Sequence, residues 1–315
     1  MSSTKSFDEF YSSELEGCLF PLETYRKKVA KTGIAGFILA ALSIFLFFVS
    51  SADDVGITSV FAVISLITAA VFFIVSYYRK KEYVASFKES IVRRVVSFID
   101  PSLHYSPSTS VSRKDYDISG LFLQRPDRYK GDDYIEGTRD RTFFSFSELH
   151  TEEQVSNGKT TSWVTIFKGL FFIADFNKNF QGRTYVWSEN NPQLNFFTKI
   201  FSSVAWNLEK VSLESVEFER KFVVYSTDQV EARFILTPSL MERLVKLEQM
   251  MGAGTSFSFV NTNIYVAVPI KDKLFEPNVY SPNDYLTIKD YYKTVHIVFD
   301  IIDELKLNDR LWGKE

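Results

Sequence analysis

Two uncharged apolar runs, Gly33 to Ser51 and Gly56 to Tyr78, constrain this chain more than any other feature. They hold 19 and 23 residues and are separated only by Ala52, Asp53, Asp54 and Val55. As helices each is about 30 Å long, the thickness of a bilayer's hydrocarbon core. So short a link forces the two helices antiparallel, as a hairpin. Arg26, Lys27, Lys28 and Lys31 precede the first run, Arg79, Lys80 and Lys81 follow the second, and the tip carries two acids and no base. By the positive-inside rule both ends face the cytoplasm. A cleaved signal peptide ending near Ser51 fits poorly, because the polar lead is too long for an n-region and a second full run follows. Gly36 with Ala40, and Ser65 with Ala69, are small-residue pairs that let the two backbones approach. Neither run contains an Asp, Glu, Lys, Arg or His, so the usual mark of a proton or ion pathway is missing.

The flanks read as helices. Phe7, Tyr11, Leu15, Cys18, Leu22 and Tyr25 form one apolar stripe, with Pro21 expected to interrupt or kink it. Val84, Phe87, Ile91, Val95 and Phe98 repeat the stripe after the second run, with Lys88, Glu89, Arg93 and Arg94 on other faces. The two stripes are expected to pack as a short stalk. The basic collar of Arg26, Lys27, Lys28, Lys31, Arg79, Lys80 and Lys81 is expected to attract anionic lipid.

The expected organisation is an N-terminal helix (1–32), a transmembrane hairpin (33–78), a juxtamembrane helix (79–100), a Ser- and Pro-rich linker (101–115) and an α+β domain (116–315). In that domain Thr142 to Val155 and Thr160 to Asp175 flank Asn157-Gly158, a strong hairpin signal. The second of these strands is apolar on both alternating sets, which predicts a central strand. Further strands are expected at Tyr134–Gly137, Thr184–Ser188, Lys221–Tyr225, Ser256–Val260 and Ile264–Pro269. Thr237-Pro238 opens a helix that Gly252 ends, and a long helix is expected from about Asn283 to Leu307. The fold class is α+β with a mainly antiparallel sheet, and a pleckstrin-homology-like barrel is the alternative.

Several segments resemble a bacterial family catalogued as domain of unknown function 3137. They are Pro21, Glu23 and Arg26, Ser119-Gly120-Leu121-Phe122, Asp133 to Gly137, and Phe146-Ser147-Glu148. The resemblance is densest in Phe167-Lys168-Gly169-Leu170-Phe171, Phe180 to Thr184, and Phe218 through Arg233 into Thr237-Pro238. It implies a bacterial inner-membrane protein with a cytoplasmic domain, and it carries no activity or site to transfer.

The chemistry legible in the residues is sparse. With 36 basic and 39 acidic residues the net charge is −3, which gives no support for nucleic-acid binding. The single cysteine, Cys18, cannot form an internal disulfide or a thiolate metal cluster. Asp175, Asn177 and Asn179 have the spacing that opens a calcium loop, but Phe180 stands where Gly is needed and Val186 where Glu is, so no metal or cofactor is expected. Asp228, Gln229, Glu231 and Arg233 concentrate polar groups as a candidate binding surface. Against that, Ser226 with Gln229 would make a capping box and Glu231 with Arg233 surface ion pairs. The expectation is a non-enzymatic binding or scaffolding module held near the bilayer. Its partners would be membrane lipids, with a protein or a small apolar ligand, and a homo-oligomer is open. The alternatives are a hydrolase-type site in which His150 and acidic residues converge, and an oligomeric channel lined by Ser43, Ser59, Ser65 and Thr68.

Overall fold

The computed structural model describes residues 6–50, 56–156, 158–176, 178–189, 191, 207–252 and 254–305. By internal contacts it divides into two units, one of residues 1–98 and 275–292 and one of residues 99–274 and 293–315.

In the first unit, helix α1 (Phe7–Phe10) is capped by Ser6, which accepts from Glu9 N, and passes through a π turn (Tyr11–Leu15) into α2 (Glu16–Ser50). Helix α3 (Ile57–Phe87) likewise passes through a π turn (Lys88–Val92) into α4 (Arg93–Ile99). Both continuous helices are long and apolar enough to cross a membrane. Only 22% and 11% of their most apolar windows are buried, which is not how a core helix of a soluble domain behaves. Small residues bring the pair together: Ala62, Ser65 and Ala69 are buried, and a Cβ on Gly36 would lie 3.2 Å from the Phe73 ring. Ser43 donates to Ala62 O and Ser65 to Leu39 O, both at 2.8 Å, while Thr68 and Ser59 donate to carbonyls of their own turns. All four of these hydroxyls therefore donate to backbone carbonyls.

Pro21 does not interrupt the helix. Its ring faces outward, so it removes one backbone donor without displacing packed side chains. The two stripes do meet, with Phe10 stacked on Phe98 at 4.0 Å between ring centroids. Segment 275–292 packs with them, placing Tyr285 and Tyr292 on Phe7 and Tyr291 on Phe87. Lys88, expected on an outer face, is buried: it stands four residues after Val84 and three before Ile91, on the same face as the stripe.

The second unit is built on a nine-stranded antiparallel sheet of order β1-β2-β3-β4-β9-β8-β5-β7-β6. The strands are β1 (His104–Ser106), β2 (Arg128–Arg139), β3 (Thr142–Ser156), β4 (Thr161–Asp175), β5 (Arg183–Ser188), β6 (Glu209–Val211), β7 (Phe222–Ser226), β8 (Ser256–Val260) and β9 (Asn263–Pro269). Among the described residues the order has two ends, β1 and β6, so they form an open sheet and not the barrel held as an alternative. One registered row crosses every strand: Tyr105, Ile135, Phe146, Phe172, Val266, Phe257, Val186, Val224 and Val211. All nine side chains are buried, so a single apolar row ties the sheet from edge to edge. On this face Phe144 meets Phe299 of α9 (Tyr285–Leu305) at 5.8 Å. The other face carries Phe167, Phe171, Tyr185, Trp187 and Tyr265, joined by Tyr116 of α5 (Arg113–Ser119) and by Leu121, whose carbonyl accepts from Trp187 Nε1. The stretch 101–115, expected as a linker, holds β1 and the start of α5.

Strand β4 is covered on both faces only in its second half, and Trp163 and Val164 are exposed. Before Gly169 it has no β9 neighbour, and β2 pairs with β3 only as far as Glu152, so the tip of the β3–β4 hairpin, Glu153–Ser156 with Thr161–Val164, is a two-stranded ribbon. Three helices follow β6: α6 (Val216–Glu219), α7 (Gln229–Ile235) and α8 (Pro238–Met251). Thr237 caps α8 with Pro238 at its start and Gly252 at its end, as the sequence predicts. Of the long C-terminal helix, Leu307 lies outside the described residues.

Candidate functional site

Pairing of β2, β3 and β4 gathers a set of ionisable side chains. Lys130 lies opposite His150, and His150 opposite Lys168; in the neighbouring row on the same face Asp132 lies opposite Glu148. These residues, with Lys273 from the segment after β9, line a recess of about 210 Å³. Beside it a bulge interrupts β2 between Asp132 and Ile135 and turns Asp133 to a positive φ of 59°. Asp133 is held there by Tyr105, whose hydroxyl donates to its carboxylate at 2.6 Å, and by its own N–H, which donates to Pro107 O.

Burial holds the Glu148 carboxyl above the ordinary glutamate range, and the negative charges of Asp132 and Asp133 push the same way. Leu274 N, which donates to Glu148 at 2.9 Å, and the Lys273 ammonium oppose that shift. One oxygen each from Asp132, Asp133 and Glu148 lies within 4.8 Å of the others. Two of these carboxylates already accept a hydrogen bond from the protein, and Lys273 Nζ stands 3.9 Å from Asp132, so the protein itself offsets their charge.

His150 and two acidic residues thus share one concave site. The geometry is not that of an acid–base relay. His150 Nε2 is the atom that approaches both Thr165 Oγ1 (3.3 Å) and Glu152 Oε1 (3.9 Å), whereas a relay engages the two ring nitrogens separately. What the recess offers is a lining of three lysines and two carboxylates, a binding chemistry in which Lys273 faces Asp132 and Lys168 donates to Lys271 O. A second recess, about 370 Å³, is lined chiefly by apolar groups including Phe122, Phe167, Ala267 and Ile270. Neither recess stood out in the sequence: the first depends on the register of β2, β3 and β4 and on Lys273 from beyond β9, and the second draws on segments far apart in the chain.

The residues singled out in the sequence fall elsewhere. Asp228 is the N-cap of α7, accepting from Val230 N and Glu231 N, and Ser226 accepts from Asp228 N. The cap is therefore Asp228, not the capping box expected from Ser226 with Gln229, because the helix begins two residues later. Glu231 accepts from the backbone N–H groups of Gln181 and Gly182 at 3.0 and 2.7 Å, tying α7 to the loop before β5. Arg233 bonds Gln229 Oε1, and Gln229 bonds Glu209. On the same helix Val230 and Phe234 are 78% and 59% exposed. In the collar Arg26 is buried, chelated by Glu23 and donating to Val279 O at 2.7 Å, while Lys27, Lys28, Lys31, Arg79, Lys80 and Lys81 are exposed.

The sequence matches no curated protein. Among solved structures, the crystal structure of the mycobacterial trehalose monomycolate transport factor A, TtfA, aligns with 68% of this chain and 96% of its own, at 10% identity and a TM-score of 0.34. So distant a likeness carries no argument. Residues 165–307 match the model of a family described as "Protein of unknown function (DUF3137)". That match takes in Phe167 to Phe171, Phe180 to Thr184 and Tyr225 to Arg233, segments that carry the resemblance in the sequence. Residues 165–307, then, are similar to the DUF3137 family.

Proposed function

We infer that this protein is a membrane-anchored binding module: its hairpin spans the bacterial inner membrane with both ends cytoplasmic, and its sheet domain holds a small ligand bearing an acidic group. The carrying observation is that Lys130, Lys168 and Lys273 line one recess with Asp132 and Glu148, while His150 makes no two-nitrogen relay there. The ammonium groups of Lys130, Lys168 and Lys273 are the donors that a carboxylate or phosphate ester would engage, and the raised proton affinity of buried Glu148, beside Asp132 and Asp133, lessens the negative charge such a ligand would meet. The test is native mass spectrometry of the full-length protein gently extracted from its membrane. A reproducible non-covalent mass that disappears in Lys130→Ala/Lys168→Ala supports the reading. A bare protein, or a bound mass indifferent to that pair, defeats it.

A protein-contact face on α7 is the second reading, supported by the exposed Val230 and Phe234 beside Gln229 and Arg233. Here the members separate. Asp228→Ala removes an N-cap and is expected to cost about 1 kcal/mol in thermal unfolding. Arg233→Ala should leave stability unchanged and remove a co-purifying partner, and loss of stability there would make Arg233 structural.

A further inference from the structure

Segment 275–292 belongs to the same unit as the apolar helices, and its turn reaches the mouth of the hairpin. A Cβ on Gly33, the first residue of the first apolar run, would lie 3.2 Å from both the Tyr280 hydroxyl and Ser76 Oγ, near the end of the second run. The turn is held there by side chains from both helices. Arg26 donates to Val279 O at 2.7 Å, Asn283 donates to the buried Tyr83 hydroxyl at 2.9 Å, and Lys80 lies 4.0 Å from Glu276. The turn is also closed on itself, with Asn278 Oδ1 accepting from the N–H groups of Tyr280 and Ser281, and Asn283 Oδ1 from Asn278 N. A turn fixed this firmly nevertheless leaves the Tyr280 ring 64% exposed, level with Tyr77 and Tyr78, each 66% exposed.

We propose that the turn at 278–280 is a membrane-contacting element, with Tyr280 seated in the headgroup layer of an anionic leaflet. Three exposed tyrosines at the end of two apolar helices form an aromatic belt, whose rings take the apolar side of the interface and whose hydroxyls take the wet side. Around them lie Lys27, Lys28, Lys31, Arg79, Lys80 and Lys81, all exposed, so the charge of this ring complements anionic headgroups. Two of the belt's members follow from the sequence of the hairpin. The third arrives from 200 residues further along the chain and docks a soluble segment onto the bilayer surface. This inference rests on the hairpin spanning the membrane.

The test uses the full-length protein, with Cys18→Ser and a single nitroxide label, in vesicles of phosphatidylethanolamine and phosphatidylglycerol. Labels go at Tyr280→Cys, at Phe45→Cys within the first apolar run, and at Val216→Cys, an exposed site in the other unit. Collisions with oxygen and with a water-soluble nickel chelate report depth. The expected result is that position 45 is deep, position 216 aqueous and position 280 between them, shielded from the chelate several-fold relative to position 216. Replacing phosphatidylglycerol by phosphatidylcholine should raise the chelate's access to position 280. If position 45 is deep while position 280 matches position 216, the Tyr280 contact is wrong and the anchor stands. If position 45 is itself aqueous, both fail.

Discussion

Glu148 sits where the sheet's apolar row gives way to charge. Two residues along β3 from Phe146, it faces the same side of the sheet and is almost as deeply buried, yet it must hold its carboxyl beside Asp132 and Asp133. Its folded-state proton affinity exceeds the unfolded one, so its contribution to stability is fully present below the ordinary glutamate range and is lost as pH rises through the raised folded value. At neutral pH the charged form is therefore a net cost. Glu148→Gln keeps an oxygen for Leu274 N and removes that charge, so its melting temperature should exceed wild type at pH 7, with the difference shrinking as pH falls below the glutamate range. Equal melting temperatures at pH 7 would show that Lys273 and the Leu274 N–H already compensate the burial in full. Asp228 and Glu231 have a different residue-scale role, binding backbone N–H groups at a helix start and a loop.

Among the elements, hairpins and capped helices were legible in the sequence because their signals are local. Ser256–Val260 is the strand the sequence predicts, and Asn261, with φ 59°, makes the turn into β9 that its side chain tolerates. Registers were not legible. A two-residue Asn157-Gly158 turn would pair Ser156 with Lys159, but Ser156 pairs with Thr161, and a bulge between Thr151 and Glu152 shifts the register once more. Only that combined offset sets His150 opposite Lys168, so the recess depended on a loop length and a bulge that alternation cannot count. Short edge strands such as β1 and β6, three residues each, carry too little pattern to be found. The Phe167 to Phe171 segment has a physical reason for its glycine. Gly169 has φ 154°, and a Cβ there would meet Val268 O at 2.0 Å, where β9 begins to pair. Gly169→Ala is expected to destabilise the protein by about 3 kcal/mol in chemical denaturation, and a cost under about 0.5 kcal/mol would contradict this close approach.

For the whole molecule, two apolar helices are tied together by small residues, their hydroxyls are satisfied internally, and basic residues gather at one end. A sheet row of nine buried side chains makes the other unit a folded body with its own core. Anchoring that body at the inner leaflet is the central claim, and it requires the acidic hairpin tip to face away from the cytoplasm. The direct measurement is labelling of intact cells with a membrane-impermeant thiol reagent, in a Cys18→Ser background carrying one cysteine at Asp54, Lys5 or Glu315. A spanning hairpin with cytoplasmic ends requires Asp54→Cys to react in intact cells and Lys5→Cys and Glu315→Cys to react only after lysis. Labelling at position 5 or 315 in intact cells would contradict it.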